Sequence, residues 1–240
     1  MLGKEIKDLR VAILVPCYKR PEYTEKCIRA LEVMDKPCFV NFVLWNDGSQ
    51  DATGHILKTA YLGDKAPTIH ESTENMGLRA VISSFMFDPC LVGDYDIIAK
   101  IDNDCIVPAD YLTSMLAKFQ TTNADILSPN VLPSNASYKY GSDDVDRLGY
   151  RPSKIVGGLW MMKRSMIEGI EFDRHDVVGI KGAFNLLYQI VVEKEPKIGW
   201  VTDVTVQDIG HWSGLHPDHI KNKEHLEYYN EIGREVAWGL

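Results

Sequence analysis

Apolar and polar positions change rhythm along the first half of this chain, switching between two periods. Residues 11–16, VAILVP, form one continuous apolar run, as a strand buried on both faces does. PEYTEKCIRALEVM follows, with Pro21 suited to a first helical turn and Cys27, Ile28 and Leu31 at helical spacing. CFVNFVLWND reads as a second strand, and GSQDATGHILKTAYLG as a turn that continues into a helix. TIHES, GLRAVISSFMF, YDIIAKID, PADYLTSMLAKFQ and ADILSP then read as strand, helix, strand, helix, strand. Such alternation predicts an α/β fold, a mostly parallel, Rossmann-like sheet flanked by helices on both faces.

In such sheets ligands bind beyond the carboxyl ends of the strands. Polar clusters fall at those ends: CYKR after the first strand, NDGSQD after the second, ENMGLR at the third helix's start, and DND after the fourth strand. Each has a purely structural alternative. Asp47-Gly48-Ser49 makes a good turn, Asn75-Met76-Gly77 a helix entry, and an Asp of the last cluster could cap the helix beginning near Pro108. Asp102 and Asp104 flank Asn103, however, so two like charges meet at a sheet end. A divalent cation with hard oxygen ligands, Mg2+ or Mn2+, removes that conflict.

Beyond residue 128 the pattern loosens. NVLPSNASYKYGSDDVDRLGYRPSK is long and polar for a connection, which predicts a loop that covers substrate, carrying Tyr138, Tyr140 and Tyr150. IVGGLWMMKR returns to a strand, where Gly157 and Gly158 allow close backbone approach. KGAFNLLYQIVVEK predicts a helix, IGWVTD and VTVQD two short strands, and the second part of the closing segment another helix.

A 240-residue chain that is 45% hydrophobic supports a sizeable core. Its net charge of -8, with no Lys/Arg run, argues against an electrostatically driven nucleic-acid binder. Five cysteines without a C-x-x-C pair suit free thiols in a reducing compartment. No leading apolar segment and no run near ~20 apolar residues is present, so a cytoplasmic protein without a membrane span is expected.

Taken in order, VPCYKRPEYTEKCIRAL, WNDGSQDAT, ENMGLRAV, IDNDCIVP, VGGLWMMKRSMI and DIGHW resemble the GT-A glycosyltransferases, closest to glycosyltransferase family 2. The resemblance implies a single GT-A domain over residues 1–240: a nucleotide-sugar-binding half at about 1–129, and an acceptor-binding half with a C-terminal helix at about 130–240. It implies a metal-dependent transfer of a sugar from a nucleotide-diphosphate donor to the hydroxyl of a glycan or small molecule. Pro16, Tyr18, Arg20, Asp47, Arg79, Asp102 and Asn103 would meet the nucleotide sugar. Asp104, with Asp102 and His211, would hold Mn2+ or Mg2+, and Gly158, Trp160 and Trp212 would line the acceptor side.

Inverting members carry an acidic pair after the GG strand, but GIKGAFNLLYQI has no carboxylate. Asp176, then Asp173, are the nearest candidates for a general base; retaining chemistry would need none. A nucleotidyltransferase is disfavoured because VPCYKRPEY lacks glycine. Two alternatives stay open: a viral-type enzyme acting on modified DNA bases, and a non-catalytic nucleotide-sugar-binding domain.

Overall fold

The computed structural model describes residues 3–63, 65–132, 149–153, 158–170 and 180–210. Strand β1 (Arg10–Cys17) is buried along all but its first residue, as its apolar run requires. It pairs in parallel with β2 (Phe39–Asn46) on one side and β4 (Ile97–Lys100) on the other, and β2 pairs in parallel with β3 (Thr68–Glu71). Pro16 sits in this central strand without cost. The ladder to β4 ends at Leu14↔Lys100, so the missing N–H falls beyond it.

The expected parallel sheet is found in β3-β2-β1-β4 and becomes mixed beyond it. β8 (Trp160–Lys163) runs antiparallel to both β4 and β6 (Ile126–Leu132). The stretch expected as two short strands is one, β9 (Ile198–Asp208), parallel to β6; the register shifts between Pro129 and Asn130. β9 also pairs antiparallel with β7 (Tyr150–Ser153) and with the two-residue β5 (Cys105–Ile106). The sheet order is β3-β2-β1-β4-β8-β6-β9-β5, with β7 against β9. The expected boundary near residue 129 therefore falls inside β6, at the irregularity that lets β9 run on to the site.

Alternating strand residues face opposite layers. Ile13, Val15, Phe42, Leu44 and Ala99 pack toward α1 (Pro21–Val33), α2 (Thr53–Thr59) and α5 (Tyr111–Thr122), through Cys27, Leu31, Leu57, Met115 and Phe119. Ala12, Leu14, Val43, Ile98 and Met162 pack toward α3 (Leu78–Phe87), α4 (Pro89–Val92) and α6 (Ile180–Lys194), through Val81, Phe85, Leu91, Leu186 and Ile190. Among the described residues, no helix is long and apolar enough to cross a membrane.

Part of the segment expected to cover substrate is β7. Tyr150 there is buried, its hydroxyl donating to the Ile198 carbonyl at 3.1 Å and its ring lying against Gly199. Tyr150 is thus a packing residue, while Tyr138 and Tyr140 lie outside the described residues.

Candidate functional site

The carboxyl ends of β1, β2 and β4 converge because their registers align, Cys17↔Asn46 and Leu14↔Lys100. Just past β4, Asp102 to Asp104 form a turn in which Cys105 N donates to the Asp102 carbonyl at 3.1 Å. The Asn103 amide donates to Thr24 Oγ1 at 2.8 Å and to the Lys19 carbonyl at 3.4 Å. Asn103 thus faces α1 and fixes the turn, leaving the two aspartates to define the site.

Each aspartate meets one cation. Lys100 Nζ lies 2.5 Å from Asp102 Oδ1, and Arg20 Nη1 lies 2.8 Å from Asp104 Oδ2. The Lys100 side chain is only 4% exposed, and its ammonium also donates to the Gly158 carbonyl at 2.9 Å. A lone ammonium so placed would cost several kcal/mol, which explains why it meets two acceptors, Asp102 just past β4 and the Gly158 carbonyl just before β8. The pairing Cys105↔Asp208 brings a third carboxylate near. Burial first, then the charges of Asp102 and Asp208, push the Asp104 carboxyl up to about 6, against the pull of Arg20.

Beneath the aspartates lie Cys17, Cys27 and Cys105, buried and unbridged. Burial, reinforced by Asp102 and Asp104, pushes all three thiols up, so they pack as neutral groups.

The β1–α1 turn is strained. Lys19 (φ 56°) and Arg20 (φ 61°) are both left-handed, which costs about 1–3 kcal/mol for each such non-glycine residue. Three contacts hold it: Lys19 N donates to Ser49 Oγ at 2.8 Å, Asn103 binds the Lys19 carbonyl, and Arg20 pairs with Asp104. Tyr18, 42% exposed, stands beside them at the surface, with Lys19 Nζ 5.0 Å from its ring centroid.

Asp47 is buried, and its two oxygens accept from Met76 N at 2.8 Å and Gly77 N at 3.0 Å, anchoring the start of α3. Arg79 is carried in the first turn of that helix. Gly48 (φ 76°) is required by the same junction, because a Cβ there would lie 2.3 Å from the Glu74 carbonyl carbon.

Pro16, Tyr18, Arg20, Asp47, Asp102, Asn103 and Asp104 thus gather at one edge, with Gly158 beside Asp102. Trp160 does not join them. It is fully buried in the core facing α3 and α6, and its Nε1 has no partner among the described residues. The expectation that it lines an acceptor wall is corrected: on β8 its side chain turns into the core. Asp173, Asp176, His211 and Trp212 lie outside the described residues. Sequence reasoning missed Lys100, Asp208 and Gly210. A lysine closing the apolar run IIAK was the one available signal.

The donor set suits a divalent cation. Asp102 Oδ2 and Asp104 Oδ1 are each left off the neighbouring cation, and three carboxylates face two positive charges. Among the described residues no cluster of three His, Cys, Asp or Glu side chains could hold a metal alone, so a cation here would need further ligands.

Residues 12–171 match the family described as glycosyl transferase family 2. Glycosyltransferase GlyA of Streptococcus pneumoniae serotype 4 is 28% identical over 130 residues, covering 54% of this chain; the chain spans 18% of that protein's length. A mannosyltransferase from Pyrobaculum calidifontis, solved with GDP-Man and Mn2+, superposes with a TM-score of 0.68 at 19% identity, covering 95% of this chain and 65% of its own. S. aureus TarS 1-349, solved with UDP-GlcNAc, superposes with a TM-score of 0.59 at 15% identity, covering 83% of this chain and 58% of its own. The fold is the one these two solved structures share, and with the family match across two-thirds of its length the chain belongs to glycosyl transferase family 2.

Proposed function

We propose that this protein transfers a sugar from a nucleotide-diphosphate donor to an acceptor hydroxyl, with Mn2+ or Mg2+ at the Asp102/Asp104 pair. The carrying observation is the convergence of two aspartates, each with its own cation, at the carboxyl edge of β1 and β4. Two structural neighbours solved with GDP-Man and Mn2+ and with UDP-GlcNAc support a nucleotide-sugar donor.

In this reading Asp104 and Asp102, with His211, hold the metal; when bound, it offsets the charge of the departing diphosphate. Tyr18 and Pro16 flank the base, Asp47 accepts from it, and Arg20 and Arg79 bear on the diphosphate. Asn103 keeps its place by holding the carboxylate turn rather than by touching sugar. Gly158 and Trp212 stand on the acceptor side, with Asp176, then Asp173, as general base. The acceptor is a glycan or a small molecule, and the division near residue 129 separates donor-binding from acceptor-binding halves. The buried free thiols support a reducing, cytoplasmic setting.

The test is nucleoside diphosphate release from a panel of UDP and GDP sugars with Mn2+, before and after chelation. Release that stops with chelator and in Asp104→Ala is expected. Chelator-insensitive release overturns the metal assignment. Nucleotide binding without release from any donor, acceptors included, favours the non-catalytic alternative.

A further inference from the structure

The two cations at the site are not equivalent. Lys100 is enclosed, its side chain 4% exposed and its ammonium shared between Asp102 and the Gly158 carbonyl. Arg20 is 28% exposed, and among the described residues its guanidinium makes one hydrogen bond, to Asp104 Oδ2. Its backbone cannot drift: the Arg20 carbonyl accepts from Thr24 N at 3.0 Å and Tyr23 N at 3.1 Å as the residue preceding α1. The guanidinium can therefore move only by turning about its own side-chain torsions.

We propose that Arg20 is an exchangeable counterion that couples metal binding to donor binding. In the donor-free protein its guanidinium occupies Asp104, so a cation approaching that carboxylate must compete with a positive charge 2.8 Å away. A diphosphate offers the guanidinium a better acceptor, since planar guanidinium groups bind phosphate oxygens in pairs. When Arg20 turns to it, Asp104 Oδ2 loses its cation partner and is open to the arriving metal. Lys100 stays on Asp102 throughout. The donor-free site therefore binds divalent metal weakly, and metal and diphosphate enter together. This inference rests on the proposed metal-dependent transfer and adds to it which residue enforces the coupling.

Mn2+ binding, followed by electron paramagnetic resonance, tests the exchange without reference to turnover. Arg20→Gln should bind Mn2+ alone at least about fivefold more tightly than wild type, the lower end of ordinary site-to-site coupling. Arg20→Lys, which keeps the charge, should stay near wild type. A second readout needs no variant: the Arg20 guanidinium 15N resonance of the wild-type protein should shift on adding UDP or GDP with Mg2+, and not with Mg2+ alone. If Arg20→Gln binds Mn2+ no more tightly while wild type binds it with nucleotide present, the exchange is wrong and the metal site stands. An unmoved Arg20 resonance under conditions where nucleotide and Mg2+ bind also overturns it. If neither protein binds Mn2+ even with nucleotide, the metal assignment falls and this inference with it.

Discussion

Gly210 backs directly onto Asp104: a Cβ at Gly210 would lie 2.1 Å from Asp104 Oδ2 and 2.7 Å from its Cβ and Cγ. The two residues cannot separate easily, because Ile209 N donates to the Asp104 carbonyl at 2.9 Å. Gly210→Ala must then displace the carboxylate from Arg20. Asp104 Oδ2 and Cγ can turn aside, but its Cβ follows the backbone, so the turn around Asp104 must shift slightly while the rest of the fold holds. Transfer should fall at least about tenfold, or about 1.4 kcal/mol of barrier, while the melting temperature drops by only a few degrees. Normal kinetics in this variant would show that Asp104 can move without consequence.

The raised carboxyl of Asp104 makes stability depend on pH in an unusual direction. An ordinary Asp titrates near 3.9 in the unfolded chain, whereas burial and the neighbouring carboxylates hold Asp104 up at about 6. Between those values the folded state binds more protons than the unfolded one, so stability falls as pH rises through that window. About two pH units at about 1.36 kcal/mol each gives a loss of roughly 3 kcal/mol by neutral pH. Asp104→Asn should abolish that dependence, melt higher than wild type at pH 7.5, and fail in transfer. Denaturant unfolding at pH 4.5 and pH 7.5 reads this directly, and an identical pH slope in both proteins would count against it.

The parallel half of the sheet was legible because β1 past its first residue and the first three residues of β4 are uninterrupted apolar runs and polar clusters sit just after its strands. The mixed half was not. IGWVTD and VTVQD read as two strands because Asp203 interrupts the apolar alternation, yet β9 runs through it, and Asp203 Oδ2 instead lies 2.6 Å from Lys118 Nζ. Asp208 and Gly210 reach the site only through the pairing of β5 with β9, a contact between residues about a hundred apart that no local pattern carries. Trp160 misled for a related reason. A tryptophan after two glycines suits a sugar-binding wall as well as a core strand, and only the facing of β8 decides between them.

That decision is testable at Trp160 itself. Removing the whole indole should leave a cavity costing about 3–5 kcal/mol in Trp160→Ala. Trp160→Phe keeps most of the packing and deletes the N–H that has no partner among the described residues, a group whose burial unpaired costs about 1–3 kcal/mol. Its stability should therefore stay within about 1.5 kcal/mol of wild type, the range for well-tolerated core exchanges, and its transfer rate and acceptor KM should be unchanged. An acceptor KM raised in a stable Trp160→Phe protein would return this residue to the acceptor site.

Asp47 poses the sharpest division between structure and recognition. Its carboxylate already accepts from Met76 N and Gly77 N, so part of its function is to seat α3 and, with it, Arg79. Each oxygen can still accept a second bond, which leaves room for a donor on a nucleotide base. Asp47→Ala removes both contributions, and nucleotide affinity should fall by about 1.5–3 kcal/mol, the worth of a charged hydrogen bond. The base contribution is isolated by comparing ligands. Inorganic pyrophosphate with Mn2+ reports on the diphosphate subsite alone, whereas UDP or GDP with Mn2+ reports on both. If Asp47 touches the base, calorimetry of Asp47→Ala should show nucleotide affinity falling by a larger factor than pyrophosphate affinity. If the carboxylate only anchors α3, both should fall together, because the helix start and its arginine shift for either ligand.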